Sequence, residues 1–188
     1  MLKTGTNAVQ ITLVSETMKT DAGSRDHLPL LEAVAAALPR FPDERIDYSH
    51  ARVALVINCI VRHDGKILLV RRSGLVALHG NRWGCVTGFI DRFISLEALV
   101  GCELREELSV DVASASEVRC ANPFRSVDDA AAKVWLVYPV LVTFEQRPRI
   151  RLNWENGAFR WIRPAEIDNF RVIPGQARAL AVVIGKDW

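Results

Sequence analysis

The stretch GFIDRFISLEALVGCELREELSV, residues 88–110, decides how this chain is read. Ser95 has the character of a helix N-cap, and Glu97 falls in the first turn, where an acid meets the positive end of the helix dipole. A helix running from Ser95 to near Ser109 places Leu96, Val100, Leu104 and Leu108 on one apolar stripe suited to packing on a sheet. At 100° per residue, Glu103, Glu106 and Glu107 share a sector of about 100°, so three carboxylates face the same way while Arg105 projects from the far side. These acids also crowd the last turns, where the dipole is already negative. Two carboxylates ~4 Å apart repel by about 4 kcal/mol at an effective dielectric near 20. Local rules are broken in this manner at functional sites. A hard divalent cation resolves the conflict, and oxygen-only ligation favours Mg²⁺ or Mn²⁺, ions that characteristically bridge substrate phosphates. Taken alone, the three glutamates have a plainer reading as a solvated acidic face.

Outward from this helix, the chain alternates strand and helix signals. Two apolar, β-branched runs start at Val53 and Lys66 and are separated by His63, Asp64 and Gly65, which predicts a β-hairpin. A glycine-rich loop is expected around Gly80, Gly84 and Gly88. The run from Lys133 reads as one or two strands, with Pro139 forcing a bulge, a break or an edge position. A further strand is expected from Gly157, and a C-terminal helix from Gly175 to Gly185. Residues 1–50 read as an N-terminal extension carrying one helix in LPLLEAVAAAL, closed by Pro39 and Pro42, ahead of a second unit over residues 51–188. The order of elements gives an α/β (α+β) class, a mixed sheet between helices.

Composition narrows the function classes. A chain of 188 residues, 49% hydrophobic and carrying a formal net charge of +2, suits one domain and lacks the basic footprint of stable nucleic-acid binding. No apolar run is long enough for a membrane span, and the start has no secretory layout, so a cytoplasmic location is expected. Cys59, Cys85, Cys102 and Cys120 are too scattered for a zinc or disulfide framework and read as small core residues or free thiols.

Residues 88–110 resemble the Nudix box, G-x5-E-x7-R-E-U-x-E-E-x-G-U with U aliphatic. Gly88, Glu103, Leu104, Glu106, Glu107 and Val110 hold box residues, while Ile94, Cys102 and Ser109 stand where the family has glutamate, arginine and glycine. The resemblance extends from about Arg52 to Ile184, through the hairpin, AsnArgTrpGlyCysValThrGly and AsnTrpGluAsnGlyAlaPheArgTrpIle. It implies an α/β/α sandwich, Mg²⁺ or Mn²⁺ held by Glu103, Glu106 and Glu107, and hydrolysis of a diphosphate linkage in a nucleoside diphosphate derivative or nucleoside triphosphate. It also implies a small-molecule partner, no membrane partner, and a homodimer among the assemblies open to the chain. In the family the missing glutamate and arginine support the loop and helix; their joint replacement by apolar residues preserves folding better than loss of one partner would. A catalytically weak nucleotide-binding or regulatory module is the alternative reading.

Around the box, Glu155 is a candidate base or further metal ligand, with Asp128 or Asp129 as substitutes. Arg71 and Arg72 end a strand, so alternation lets only one of them face a diphosphate. Trp83 and Phe89, with Trp154 and Trp161, are candidates for stacking on a base, against a role in ordinary packing. Gly88 is expected to permit a tight turn and the close approach of ligands. His79 is assigned no role. Cys85 occupies the general loop used by isopentenyl diphosphate isomerases, but its context does not match theirs.

Overall fold

The computed structural model describes residues 26–185; the polar stretch before them lies outside that range. Helix α1 (Leu28–Ala35) leads into strand β1 (Val53–His63), and β2 (Lys66–Arg72) returns antiparallel to it. The hairpin turn is the expected one: Asp64 and Gly65 take left-handed φ values of 48° and 69°, the geometry that matches the twist of paired strands. Short β3 (Trp83–Gly84) pairs with β2, and β4 (Val86–Phe89) pairs with β1. Helix α2 (Leu96–Leu108) follows, then β5 (Glu117–Cys120), β6 (Phe124–Asp128), β7 (Lys133–Thr143), β8 (Asn156–Ile162) and helix α3 (Gln176–Ile184). All eight strands form one mixed sheet, whose centre is the long parallel pairing of β1 with β7.

Alternation along β1 and β7 splits the core between the two faces of this sheet. Leu55, Ile57, Cys59, Leu136, Tyr138 and Val140 face one side with Leu31 and Val34 of α1 and Leu96, Val100, Leu104 and Leu108 of α2. Ile60, Ile67, Leu69, Val137 and Leu141 face the other side with Ala179, Leu180 and Val183 of α3. The fold is thus an α/β class sheet between helices, and α1 shares a core with α2.

Two expectations are corrected. Pro139 neither breaks β7 nor puts it at an edge: the strand is continuous, flanked by β1 on one side and by β5 and β6 on the other. Its carbonyl accepts from the Ala121 N–H at 2.9 Å, so the direction of its missing N–H is the gap where β6 hands over to β5 and no ladder bond is lost. The glycine-rich loop contracts to the region of Gly80, because Gly84 lies in β3 and Gly88 in β4, paired with Ile57. Strands β5 and β6 were not expected: they are short, mostly polar and carry no clear alternation.

Candidate functional site

Helix α2 is capped as its sequence demands. The Ser95 hydroxyl accepts from the Ala98 N–H at 3.1 Å, and the helix closes at Ser109, which takes a left-handed φ of 56° where the box has glycine. The apolar stripe is buried, and this rotates the glutamates to graded depths. Glu107 is 4% exposed, Glu103 is half-buried and Glu106 is exposed. Arg105 points to solvent, 3.8 Å from Asp111, as expected of a residue on the far side.

A cavity of about 560 Å³ opens where α2, β4 and the loops after β2 and β7 meet. Glu103, Glu106, Glu155, Arg72, Gly88 and Phe89 line it. Glu107 does not; it lies beneath, accepting from Asn156 Nδ2 at 2.7 Å, and the Asn156 Oδ1 atom is left buried without a partner. The loop bearing Glu155 is tied to the end of α2 by the Arg151 and Asn153 N–H groups, which donate to the carbonyls of Leu108 and Glu107, and to β2 by the Ser73 N–H, which donates to the Glu155 carbonyl.

Gly88 makes no tight turn; what it permits is the close approach of Glu103. It is extended, not turning, and a Cβ built there would lie 2.3 Å from Cδ of Glu103. The residue is glycine so that the Glu103 carboxylate can lie against β4.

Electrostatics make these acids unusual. Burial, then the charges of Glu107, Glu106, Glu155 and Asp91, pushes the Glu103 carboxyl up to about 8. Burial pushes Glu107 up to about 7, against the Asn156 hydrogen bond and the nearby charge of Arg72, both of which lower it. Among the described residues, no three His, Cys, Asp or Glu side chains are drawn into a ready-made chelating group. The donor set nonetheless fits a hard divalent ion, since the groups gathered around Glu103 offer carboxylate oxygens.

The remaining candidates separate cleanly. Of the two arginines ending β2, Arg72 reaches the cavity, its Nε donating to the Leu78 carbonyl at 3.0 Å, and Arg71 is exposed elsewhere. Phe89 lines the cavity and stacks on Tyr48 with ring centroids 5.5 Å apart. Trp83 is not brought there; it packs edge-on against Phe170 at 5.3 Å. Trp161 meets Arg147 and His63, and Trp154 is exposed on its loop. Cys85 is buried outside the cavity lining, its thiol pushed up to about 12 by burial, so it is unsuited to proton transfer. Asn58 and Trp135, which the sequence did not single out, and His79, which was assigned no role, also line the cavity. Only the first of these carried a local signal, as an amide inside an apolar strand.

The comparisons agree with this architecture. Residues 50–183 match the NUDIX domain family model, and the chain belongs to the Nudix family. No curated protein matches it. A MutT Nudix hydrolase from Burkholderia pseudomallei is similar in structure, with 19% identity and a TM-score of 0.57 over 70% of this chain and 98% of that one. The Nudix domain of Shewanella oneidensis NrtR, solved with ADP ribose, is 18% identical with a TM-score of 0.57, over 70% of this chain and 86% of that one. A C. elegans Ap4A hydrolase is 12% identical with a TM-score of 0.54, over 68% of this chain and 92% of that one. Among the described residues, no helix is long and apolar enough to cross a membrane.

Proposed function

We propose that this protein hydrolyses a diphosphate linkage in a nucleoside diphosphate derivative or a nucleoside triphosphate, in a reaction dependent on Mg²⁺ or Mn²⁺. The observation that carries the reading is the cluster of mutually repelling carboxylates at one end of a large cavity, graded from exposed Glu106 through half-buried Glu103 to buried Glu107, with Glu103 seated against Gly88. Such a group is costly unless positive charge arrives, and a divalent cation supplies it. Glu103, Glu106 and Glu107 would hold the ion, which when bound polarises the phosphoryl oxygens and lowers the cost of activating water. Glu155, which lines the same cavity, would take up the proton of the attacking water. Arg72 offers a planar donor to phosphate oxygens, and Phe89 offers an apolar ring face to a base. The two products would each carry phosphate.

A screen of nucleotide sugars, ADP-ribose, dinucleotides and nucleoside triphosphates with Mg²⁺ or Mn²⁺, reading released phosphate fragments, identifies the substrate. In that assay Glu107→Gln should lower kcat at least 100-fold while the thermal midpoint stays level or rises, because the amide still accepts from Asn156 and no longer carries charge. Unimpaired turnover in this variant rejects the assignment. The second reading, a nucleotide-binding module without efficient catalysis, is favoured by Ile94, Cys102 and Ser109 at box positions; ligand-induced stabilisation with no product across the panel would establish it.

A further inference from the structure

His79 and Asp128 are separated by 49 residues in sequence, yet His79 Nε2 lies 2.6 Å from Asp128 Oδ2. The contact joins the loop between β2 and β3 to the end of β6, at the same cavity. Asp128 is 2% exposed and also accepts from the Trp135 indole N–H at 3.1 Å and the Ala131 N–H at 3.2 Å. Burial alone would raise its carboxyl, but the hydrogen bonds from Trp135 and His79 hold it low, so the dyad contains a desolvated anion. A buried carboxylate with three donors fixes the orientation of the imidazole that faces it. His79 itself takes a left-handed φ of 56°, a conformation uncommon for a residue with a side chain.

With Nε2 engaged, Nδ1 is the ring nitrogen for which the described residues provide no hydrogen bond, and His79 lines the cavity. Arg72 stands beside it: the guanidinium Nε is held by the carbonyl of Leu78, the residue immediately before His79. The end of β2 and the loop after it therefore bring two donors to the same cavity that receives Glu103, Glu106 and Glu155.

We propose that His79, anchored by Asp128, is a phosphate-contacting residue, its ring donating from Nδ1 to a non-bridging oxygen of the substrate beside Arg72. Asp128 is then a positioning residue, acting through His79. The inference rests on the diphosphate reading for the nature of the ligand, but it is tested by binding without turnover.

The experiment titrates the full chain with methylenediphosphonate, a non-hydrolysable diphosphate, in the presence of Mg²⁺ by calorimetry. His79→Gln keeps a donor that can reach Asp128 and removes the donor at Nδ1. Affinity should fall about tenfold with the thermal midpoint within a few degrees of wild type, and His79→Asn, which restores a neutral donor near Nδ1, should recover part of the loss. In the wild type labelled with ¹⁵N-histidine, the His79 Nδ1 resonance should move on adding the probe, a readout that needs no variant to fold. Unchanged affinity in His79→Gln, an unmoved Nδ1 resonance, or no binding of the probe by the wild type overturns the proposal. If the wild type hydrolyses nothing in the screen but binds the probe through His79, the hydrolase reading fails and this one stands.

Discussion

At the scale of single residues, the site is built on close approach. Gly88→Ala would place a methyl group 2.3 Å from Cδ of Glu103, and since the obstacle is the end of a flexible side chain, the carboxylate moves and the backbone stays. The expected result is a loss of kcat of at least tenfold with an unfolding free energy within about 1 kcal/mol of wild type, the size expected of a mild overpacking; a large stability loss with normal kcat would contradict the assigned role of Gly88. The same acids set a pH dependence. Glu103 and Glu107 have folded values raised to about 8 and about 7, so the native state holds protons that the unfolded chain releases above about 4.5. Their contribution to stability is full below that point and is lost as pH rises towards 8. With chelator present, the thermal midpoint should fall between pH 5 and pH 8, and millimolar Mg²⁺ should recover much of the fall at pH 8. A midpoint insensitive to Mg²⁺ at pH 8 would argue against cation binding by this group.

Among elements, the C-terminal helix is fastened at its start by a buried polar side chain, beside the apolar contacts of Ala179, Leu180 and Val183. Gln176, 1% exposed at the start of α3, accepts from Asn58 Nδ2 at 3.0 Å and from the Cys85 N–H at 2.9 Å, and donates to Asn58 Oδ1 at 3.3 Å. Gln176→Ala strands those groups without solvent, a change that costs about 2–4 kcal/mol when several buried polar partners are orphaned together. Chemical denaturation measures it, and because Asn58 lines the cavity, affinity for the diphosphate probe should weaken in the same variant. Helix α2 shows how far an element is legible before folding. Its cap at Ser95, its stripe and its end at Ser109 follow from local chemistry, since each depends on neighbours within one or two turns. The unequal burial of its three glutamates does not, because that is set by where β4 and the loop before β8 press on the helix.

For the whole molecule, the question is how the chain before residue 50 relates to the sheet. Leu31 is fully buried in the core that also holds Leu55, Leu104 and Leu136, and Ile46 and Tyr48 join it. Leu31→Ala should therefore cost about 2–5 kcal/mol, as truncation of a packed leucine does, and unfolding should remain one transition by fluorescence and far-UV circular dichroism alike. Separate transitions would show that the helix and the sheet fold independently.

The sequence by itself determined the hairpin, the box helix, its acids and the C-terminal helix, because periodicity, capping and turn chemistry act over a few residues and need no partner. Only the tertiary structure decided which arginine faces the cavity, that Gly88 makes room for Glu103, that Trp83 packs on Phe170, and that Pro139 sits within a central strand. It alone joined His79 to Asp128. These outcomes depend on which strands become neighbours and where edges change hands, and chain closure across scores of residues leaves no local mark on the side chains that it brings together.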